Sequence, residues 1–157
     1  MGNKGIILLS GGLDSSVSLA LNKEKDNIEL ALFFNYGQKS FEQEKTSVEN
    51  LCKYYKIDLK IINLEWLKNI TNNALVNNEL DIPSLKIEDL EDINITEKSM
   101  KNVWIPNRNG LFLNIAGSFA DSFGFNKIVF VDDIEQNAKY NPKNYYKRFQ
   151  FNTRHIK

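Results

Sequence analysis

The sequence predicts an α/β fold, a parallel sheet with helices on both of its faces. Three observations predict it: short apolar runs of strand length, stretches of helical apolar spacing between them, and a Gly/Ser-rich loop joining the first run to the first helix.

Gly5 to Leu9 reads GIILL, a branched apolar run that stops at glycines and suits a strand buried on both faces. After Ser10-Gly11-Gly12, apolar residues recur at Leu13, Val17, Ala20 and Leu21, and Asp14 and Ser15 suit a first turn. This predicts a helix to about Lys25. Ile28 to Phe34 (IELALFF) predicts a second strand, Phe41 to Tyr55 a helix through Val48, Leu51, Cys52 and Tyr55, and Leu59 to Leu64 (LKIINL) a third strand. Such alternation builds a parallel sheet through right-handed crossovers.

From Glu65 to Val103 the pattern weakens into a polar stretch that includes Pro83. A stretch this long inside a compact domain is expected to be an active-site insertion or lid, the alternative being a plain surface excursion. Order resumes at Trp104-Ile105-Pro106-Asn107-Arg108-Asn109. Leu111, Ile115, Phe119 and Phe123 then recur at steps of four, with small Ala116, Gly117 and Ala120 permitting close helix packing. Lys127 to Val131 (KIVFV) predicts a fourth strand, and Ile134 to Lys157 is polar and aromatic, with room for a helix from Lys143.

A length of 157 residues fits one domain, 1–157, and 42% hydrophobic with 25% charged residues fits a soluble globular protein. Lys plus Arg equals Asp plus Glu at 20 each. That balance provides no field to hold a polyanion such as tRNA, so a small-molecule substrate is expected, with no direct nucleic acid and no membrane partner. Cys52 is the one cysteine, which builds neither a disulfide framework nor a multi-cysteine metal site and fits a reducing cytoplasm. The Gly5–Leu9 run is too short for a signal-peptide core or a membrane span.

The chemistry is concentrated in Ser10-Gly11-Gly12-Leu13-Asp14-Ser15-Ser16. A strand that ends in this string and passes straight into a helix presents backbone N–H groups and hydroxyls at a positive helix terminus, which is an anion site. Gly11 and Gly12 let the backbone turn sharply and approach phosphate oxygens, and Ser10, Ser15 and Ser16 add donors. Asp14 has two open roles: capping the helix, or binding a Mg²⁺ ion that bridges phosphates. No GxxxxGK[ST] string supplies a lysine for a terminal phosphate, and no GxGxxG marks a dinucleotide site.

SGGLDSS resembles the pyrophosphate (PP) loop of the N-type ATP pyrophosphatases, a group that includes GMP synthetase, NAD synthetase, asparagine synthetase and tRNA-modifying enzymes. The resemblance implies a Rossmann-like fold of the adenine nucleotide alpha hydrolase-like (HUP) type. FFNYGQKSFEQEKTSVENL at Phe33–Leu51 and WIPNRNGLFLNIAGSFADSFG at Trp104–Gly124 narrow the likeness. Together they resemble the QueC family of 7-cyano-7-deazaguanine synthases, over about Lys4 to Val131. The likeness implies a cytoplasmic ATP-dependent C–N ligase of queuosine biosynthesis, a tRNA modification pathway. Such an enzyme converts 7-carboxy-7-deazaguanine and ammonia to the nitrile preQ0 through an adenylylated carboxylate, with ATP and Mg²⁺ as cofactors and a homodimer as its assembly. By that likeness ATP lies along Leu8, Leu9, Ser10, Gly11, Gly12, Leu13, Asp14, Ser15, Ser16, Val17 and Ser18, with adenine near the strand end and phosphates over Ser10 to Ser16.

Asp14 and Arg108 are the candidate catalytic residues. The fork of Arg108 matches phosphate or a substrate carboxylate, the alternative being a structural arginine bound to backbone carbonyls. Tyr36, Gly37 and Gln38 follow the second strand and so reach the sheet's carboxyl edge, where open α/β folds bind ligands. Tyr36 and Gln38 are therefore candidates to line the base pocket, with packing as the other role of Tyr36. Asn107 and Asn109 could hydrogen-bond a deazaguanine edge, or, beside Pro106, only form a turn.

In the family resembled, the chain continues into a four-cysteine segment that binds structural zinc, and nothing here matches it; Cys52 and His155 cannot supply four ligands. Val131 to Asn144 also departs from the family pattern, carrying Asp132, Asp133, Glu135, Gln136 and Asn141-Pro142-Lys143-Asn144 where a glycine, a Glu-Glu and a Pro-Asp-Asn are expected. Two further readings of the loop stand beside the nitrile synthase: another PP-loop ligase or tRNA-modifying enzyme, or an ATP-binding module with impaired catalysis.

Overall fold

Short apolar segments pair in parallel because each of the first three leads through a helix long enough to return the chain to the same sheet edge. The computed structural model describes residues 4–71, 74–77 and 105–131. Among them the strands are β1 (Gly5–Leu8), β2 (Ile28–Asn35), β3 (Asp58–Asn63) and β4 (Lys127–Val129), in the order β3-β2-β1-β4, all parallel. The helices are α1 (Leu13–Asp26), α2 (Phe41–Tyr55) and α3 (Arg108–Phe123), with a short 3₁₀ turn at Glu65–Asn69. The strands and helices predicted within the described residues are present, with ends that differ by no more than a few residues.

Successive strand residues point to opposite faces, and both faces are covered. Ile6, Leu8, Leu30, Leu32 and Phe34 share a core with Ala116 and Ala120 of α3. Ile7, Leu9, Ala31 and Phe33 share the other with Leu19 of α1 and Val48 and Cys52 of α2. Gly5 pairs with Ile28 but Ile6 pairs with Leu30, so the register skips Glu29. That skip sends Ile28 into the α1/α2 core and Leu30 into the α3 core.

The apolar row that identifies α1 as a helix is not the row it buries. Leu13, Val17 and Leu21 are exposed, whereas Ser15 and Leu19 face the sheet. At 100° per residue the two sets lie on opposite sides of the helix. In α3 the closest approach to the sheet is made by small residues, with Gly110, Ala116 and Ala120 buried and Leu111, Ile115 and Phe119 packed at the flanks.

The connections place the site. The crossovers through α1 and α2 step from β1 to β2 to β3, while the return through α3 enters β4 on the far side of β1. The direction in which strands are added therefore reverses beside β1, a switch point of the kind at whose carboxyl edge open α/β sheets bind ligands. At the opposite edge α3 ends on Gly124, whose φ of 67° closes the helix, and the Asn126 N–H donates to the Lys4 carbonyl at 3.0 Å. With its C-terminus tied there, α3 carries Arg108 back to the carboxyl edge.

The first part of the polar stretch packs against the domain. Leu67 and Ala74 are buried, and the Leu75 carbonyl accepts the Lys39 N–H at 2.9 Å. The remainder of the expected lid, Trp104, and the segment from Asp132 to Lys157 with its expected helix lie outside the described residues.

Candidate functional site

The loop after β1 is held open from below. Leu8 and Leu9 are core residues on opposite faces of the sheet, and the Leu9 N–H donates to the Leu32 carbonyl at 3.0 Å, so the chain leaves the sheet from a fixed point. Gly11 has a φ of 77°, a left-handed conformation that favours glycine. A Cβ there would also stand 2.8 Å from the Glu44 carbonyl oxygen of α2. The Ser47 hydroxyl donates to the Gly11 carbonyl at 2.9 Å and ties the loop to α2 from the same side.

Gly12 stands at the N-cap of α1 and has no side chain to cap it, so the first N–H groups of the helix remain for an outside acceptor. Among the described residues the space in front of Gly12 is open: an added Cβ would meet only the Ser10 hydroxyl, at 3.6 Å. Ser15 is buried beneath the loop, where its hydroxyl lies 3.0 Å from that of Ser10, accepts the Ser10 N–H and donates to the Gly12 carbonyl. Ser16 also donates to the Gly12 carbonyl, at 2.7 Å. The serines thus divide the work, with Ser10 exposed at the mouth and Ser15 bracing the turn. Asp14 does not cap α1; it is exposed in the first turn. Leu13 and Val17 are exposed along the helix and Ser18 is half-buried, its carbonyl accepting the Asn22 amide.

A polar, glycine-turned loop at an uncapped helix start fits a triphosphate. Among the described residues no group of three or more His, Cys, Asp or Glu is placed to hold a metal ion. Asp14 fits Mg²⁺ as a single carboxylate beside phosphate oxygens, the manner in which Mg²⁺ is commonly held. Cys52 is buried in α2 and burial pushes its thiol up to about 11, while His155 lies outside the described residues.

A second group forms where β2 ends. The Tyr36 ring lies under the Arg108 guanidinium, with 5.5 Å from the guanidinium carbon to the ring centroid, and beside Phe112 with centroids 6.0 Å apart. Burial raises the Tyr36 hydroxyl above its ordinary value near 10; Arg108 pulls it down and Glu44 pushes it up. The Asn109 side-chain oxygen accepts the Arg108 Nε–H at 3.2 Å, which fixes the plane of the fork. Asn107 occupies the left-handed N-cap position with a φ of 53°, following Pro106 in a turn closed by the Arg108 N–H on the Ile105 carbonyl. Pro then Asn at a positive φ is type II turn chemistry, so Asn107 aims the start of α3.

Gln38 is buried and its amide is fully used inside the loop. Its oxygen accepts the Tyr36 N–H at 2.9 Å, and its nitrogen donates to the Phe34 carbonyl at 3.0 Å and to Glu44 at 2.9 Å. Gly37 has a φ of 84° and lies under the Lys68 side chain, with its N–H on the Asn35 side-chain oxygen. Asn35 in turn donates to Asn63 and Glu65, binding the ends of β2 and β3 together.

The structure therefore collects the predicted residues into two groups on one edge, Ser10 to Ser16 after β1, and Tyr36, Arg108 and Asn109 between β2 and α3. Reading the sequence missed Asn35, Glu44 and Ser47, which hold the loops in place. The one signal for them is that all three lie within the Phe33–Leu51 string.

Comparison with known proteins bears on the family of the chain. The family model described as Queuosine biosynthesis protein QueC matches residues 4–152. A 7-cyano-7-deazaguanine synthase of Methanosarcina mazei is 48% identical over 129 residues, which is 80% of this chain and 56% of the relative. That of Methanosarcina barkeri is 48% identical over 122 residues, 76% of this chain and 53% of the relative. One from Desulforamulus reducens is 41% identical over 135 residues, 86% of this chain and 59% of the relative. The chain spans a little over half the length of these curated relatives.

Proposed function

The chain belongs to the QueC family of queuosine biosynthesis proteins, and on that premise we propose that it acts in the ATP-dependent conversion of 7-carboxy-7-deazaguanine and ammonia to 7-cyano-7-deazaguanine. The observation that carries this reading is the shared edge, on which an uncapped helix start with open space before Gly12 accompanies an arginine held on a tyrosine face. One half suits the phosphates of ATP, the other an aromatic carboxylate.

In this account the α1 N-terminus and the Ser10–Gly12 backbone orient the triphosphate, and Asp14 would hold Mg²⁺, which would offset the charge of the phosphates. Arg108 grips the acid's carboxylate or the α-phosphate where charge gathers, and Tyr36 covers one face of the deazapurine. A carboxylate oxygen attacks the α-phosphorus and pyrophosphate leaves. Ammonia then attacks the acyl carbon, AMP departs with that oxygen, and an amide forms. Loss of the second oxygen takes a second ATP: the amide oxygen attacks its α-phosphorus and pyrophosphate leaves, then AMP departs with that oxygen as the nitrogen loses its protons, leaving the nitrile. Asn107 and Asn109 serve by aiming Arg108 and offering amide groups to the base edge, and Gln38 serves by fixing the Tyr36 backbone.

The test is mass spectrometry of the purified chain with ATP, Mg²⁺, ammonia and 7-carboxy-7-deazaguanine, with Asp14→Ala as control. Amide or nitrile product that the control lacks supports the reading. AMP released only with a different acceptor would transfer the loop to another ligase reaction. ATP binding without any turnover would leave a nucleotide-binding module.

A further inference from the structure

Both groups of the site lean on the same piece of α2. The Gly11 backbone approaches the Glu44 carbonyl so closely that a Cβ would come within 2.8 Å, and one turn later the Ser47 hydroxyl donates to the Gly11 carbonyl at 2.9 Å. Peptide planarity then fixes the other side of the unit. With the Gly11 oxygen drawn toward α2, the Gly12 N–H points away from it, toward the Ser10 hydroxyl at 3.4 Å. A carbonyl free to swing outward would set a partial negative charge where an anion has to lie.

The Glu44 carboxylate works on the second group. One oxygen accepts the Gln38 amide at 2.9 Å and the other accepts the Ser40 hydroxyl. Gln38 uses its remaining hydrogen-bond sites on the Phe34 carbonyl and the Tyr36 N–H, so Glu44 governs where Tyr36 stands beneath Arg108.

We infer that the first two turns of α2 are a positioning strut shared by the two halves of the site, in which Ser47 sets the Gly11 peptide for the nucleotide and Glu44, through Gln38, sets Tyr36 for the acid. The inference rests on the reading of the site given above. Glu44 and Ser47 are positioning residues and touch neither ligand.

The experiment is calorimetry on the full chain with two probes taken separately, ATP with Mg²⁺ and 7-carboxy-7-deazaguanine, for the wild type, Ser47→Ala, Ser47→Thr and Glu44→Ala. Ser47→Ala is expected to weaken ATP roughly five- to tenfold and leave the acid unchanged, with Ser47→Thr restoring ATP affinity because it keeps the hydroxyl. Glu44→Ala is expected to do the reverse, weakening the acid by a similar factor with ATP unchanged. A general loss of stability cannot produce that crossed pattern. Equal affinities in all four proteins, or parallel losses for both probes in both variants, would overturn the inference while wild-type binding of both ligands left the proposed function standing. Failure of the wild type to bind either ligand would overturn both.

Discussion

The Arg108 guanidinium carbon lies 5.5 Å from the centre of the Tyr36 ring, which joins the first residue of α3 to the loop that ends β2. Each has its own anchor, Arg108 on the Asn109 side chain and Tyr36 on Gln38 and Phe112, and the contact couples the two. The aromatic face orients the fork, and the cation lowers the cost of a tyrosine set under cover. Arg108→Lys keeps the charge but loses the planar fork. It is expected to cut kcat/KM by roughly a hundredfold, close to the loss for Arg108→Ala, on the scale of a lost charge-stabilising donor. Steady-state kinetics with both variants checks it.

The same pair sets an alkaline limit. Burial raises the Tyr36 hydroxyl above its ordinary value near 10. A group raised on folding contributes stability that is complete below the unfolded value and is lost as pH climbs through the folded one. Stability should therefore hold to about pH 10 and fall above it. Tyr36→Phe should flatten that fall, as read from denaturant midpoints across the alkaline range.

The two glycines of the loop should fail in different ways. Gly11→Ala forces a side chain into a φ of 77° and to 2.8 Å from the Glu44 carbonyl, so a stability loss of about 1–3 kcal/mol is expected together with weakened ATP binding. Gly12→Ala adds its methyl to open space at a φ of −77°. It should remain about as stable as the wild type and still lose ATP affinity, because the methyl stands where phosphate approaches. Denaturant melts paired with calorimetry separate the two.

α1 offers a test of which side it buries. Leu19 is 0% exposed and Leu21 61% exposed. Leu19→Ala should cost about 2–5 kcal/mol, and Leu21→Ala no more than about 0.5 kcal/mol. Chemical denaturation of the two variants reads the difference directly.

Most of the fold was legible because β1 and β2 are apolar runs closed by turn residues and α2 carries a clear helical period. The side that α1 buries was not. Its apolar residues Leu13, Val17 and Leu21 point outward, while the small polar Ser15 is buried because it braces the loop. The Ser10–Ser16 loop was legible because its whole chemistry is local in sequence. The position of Gln38 just after β2 predicts a ligand contact; its partners Phe34 and Glu44 become evident only once β2 and α2 are folded together. Ser47 meets Gly11 across 36 residues, a contact that arises from the approach of α2 to the end of β1 and leaves no local trace.

The most direct test follows oxygen. 7-Carboxy-7-deazaguanine carrying ¹⁸O in its carboxylate, incubated with the chain, ATP, Mg²⁺ and ammonia, should give AMP that contains ¹⁸O and pyrophosphate that does not. AMP free of label, or label in inorganic phosphate, would contradict activation of the carboxylate at the α-phosphorus and with it the assignment of the Ser10–Ser16 loop to that step.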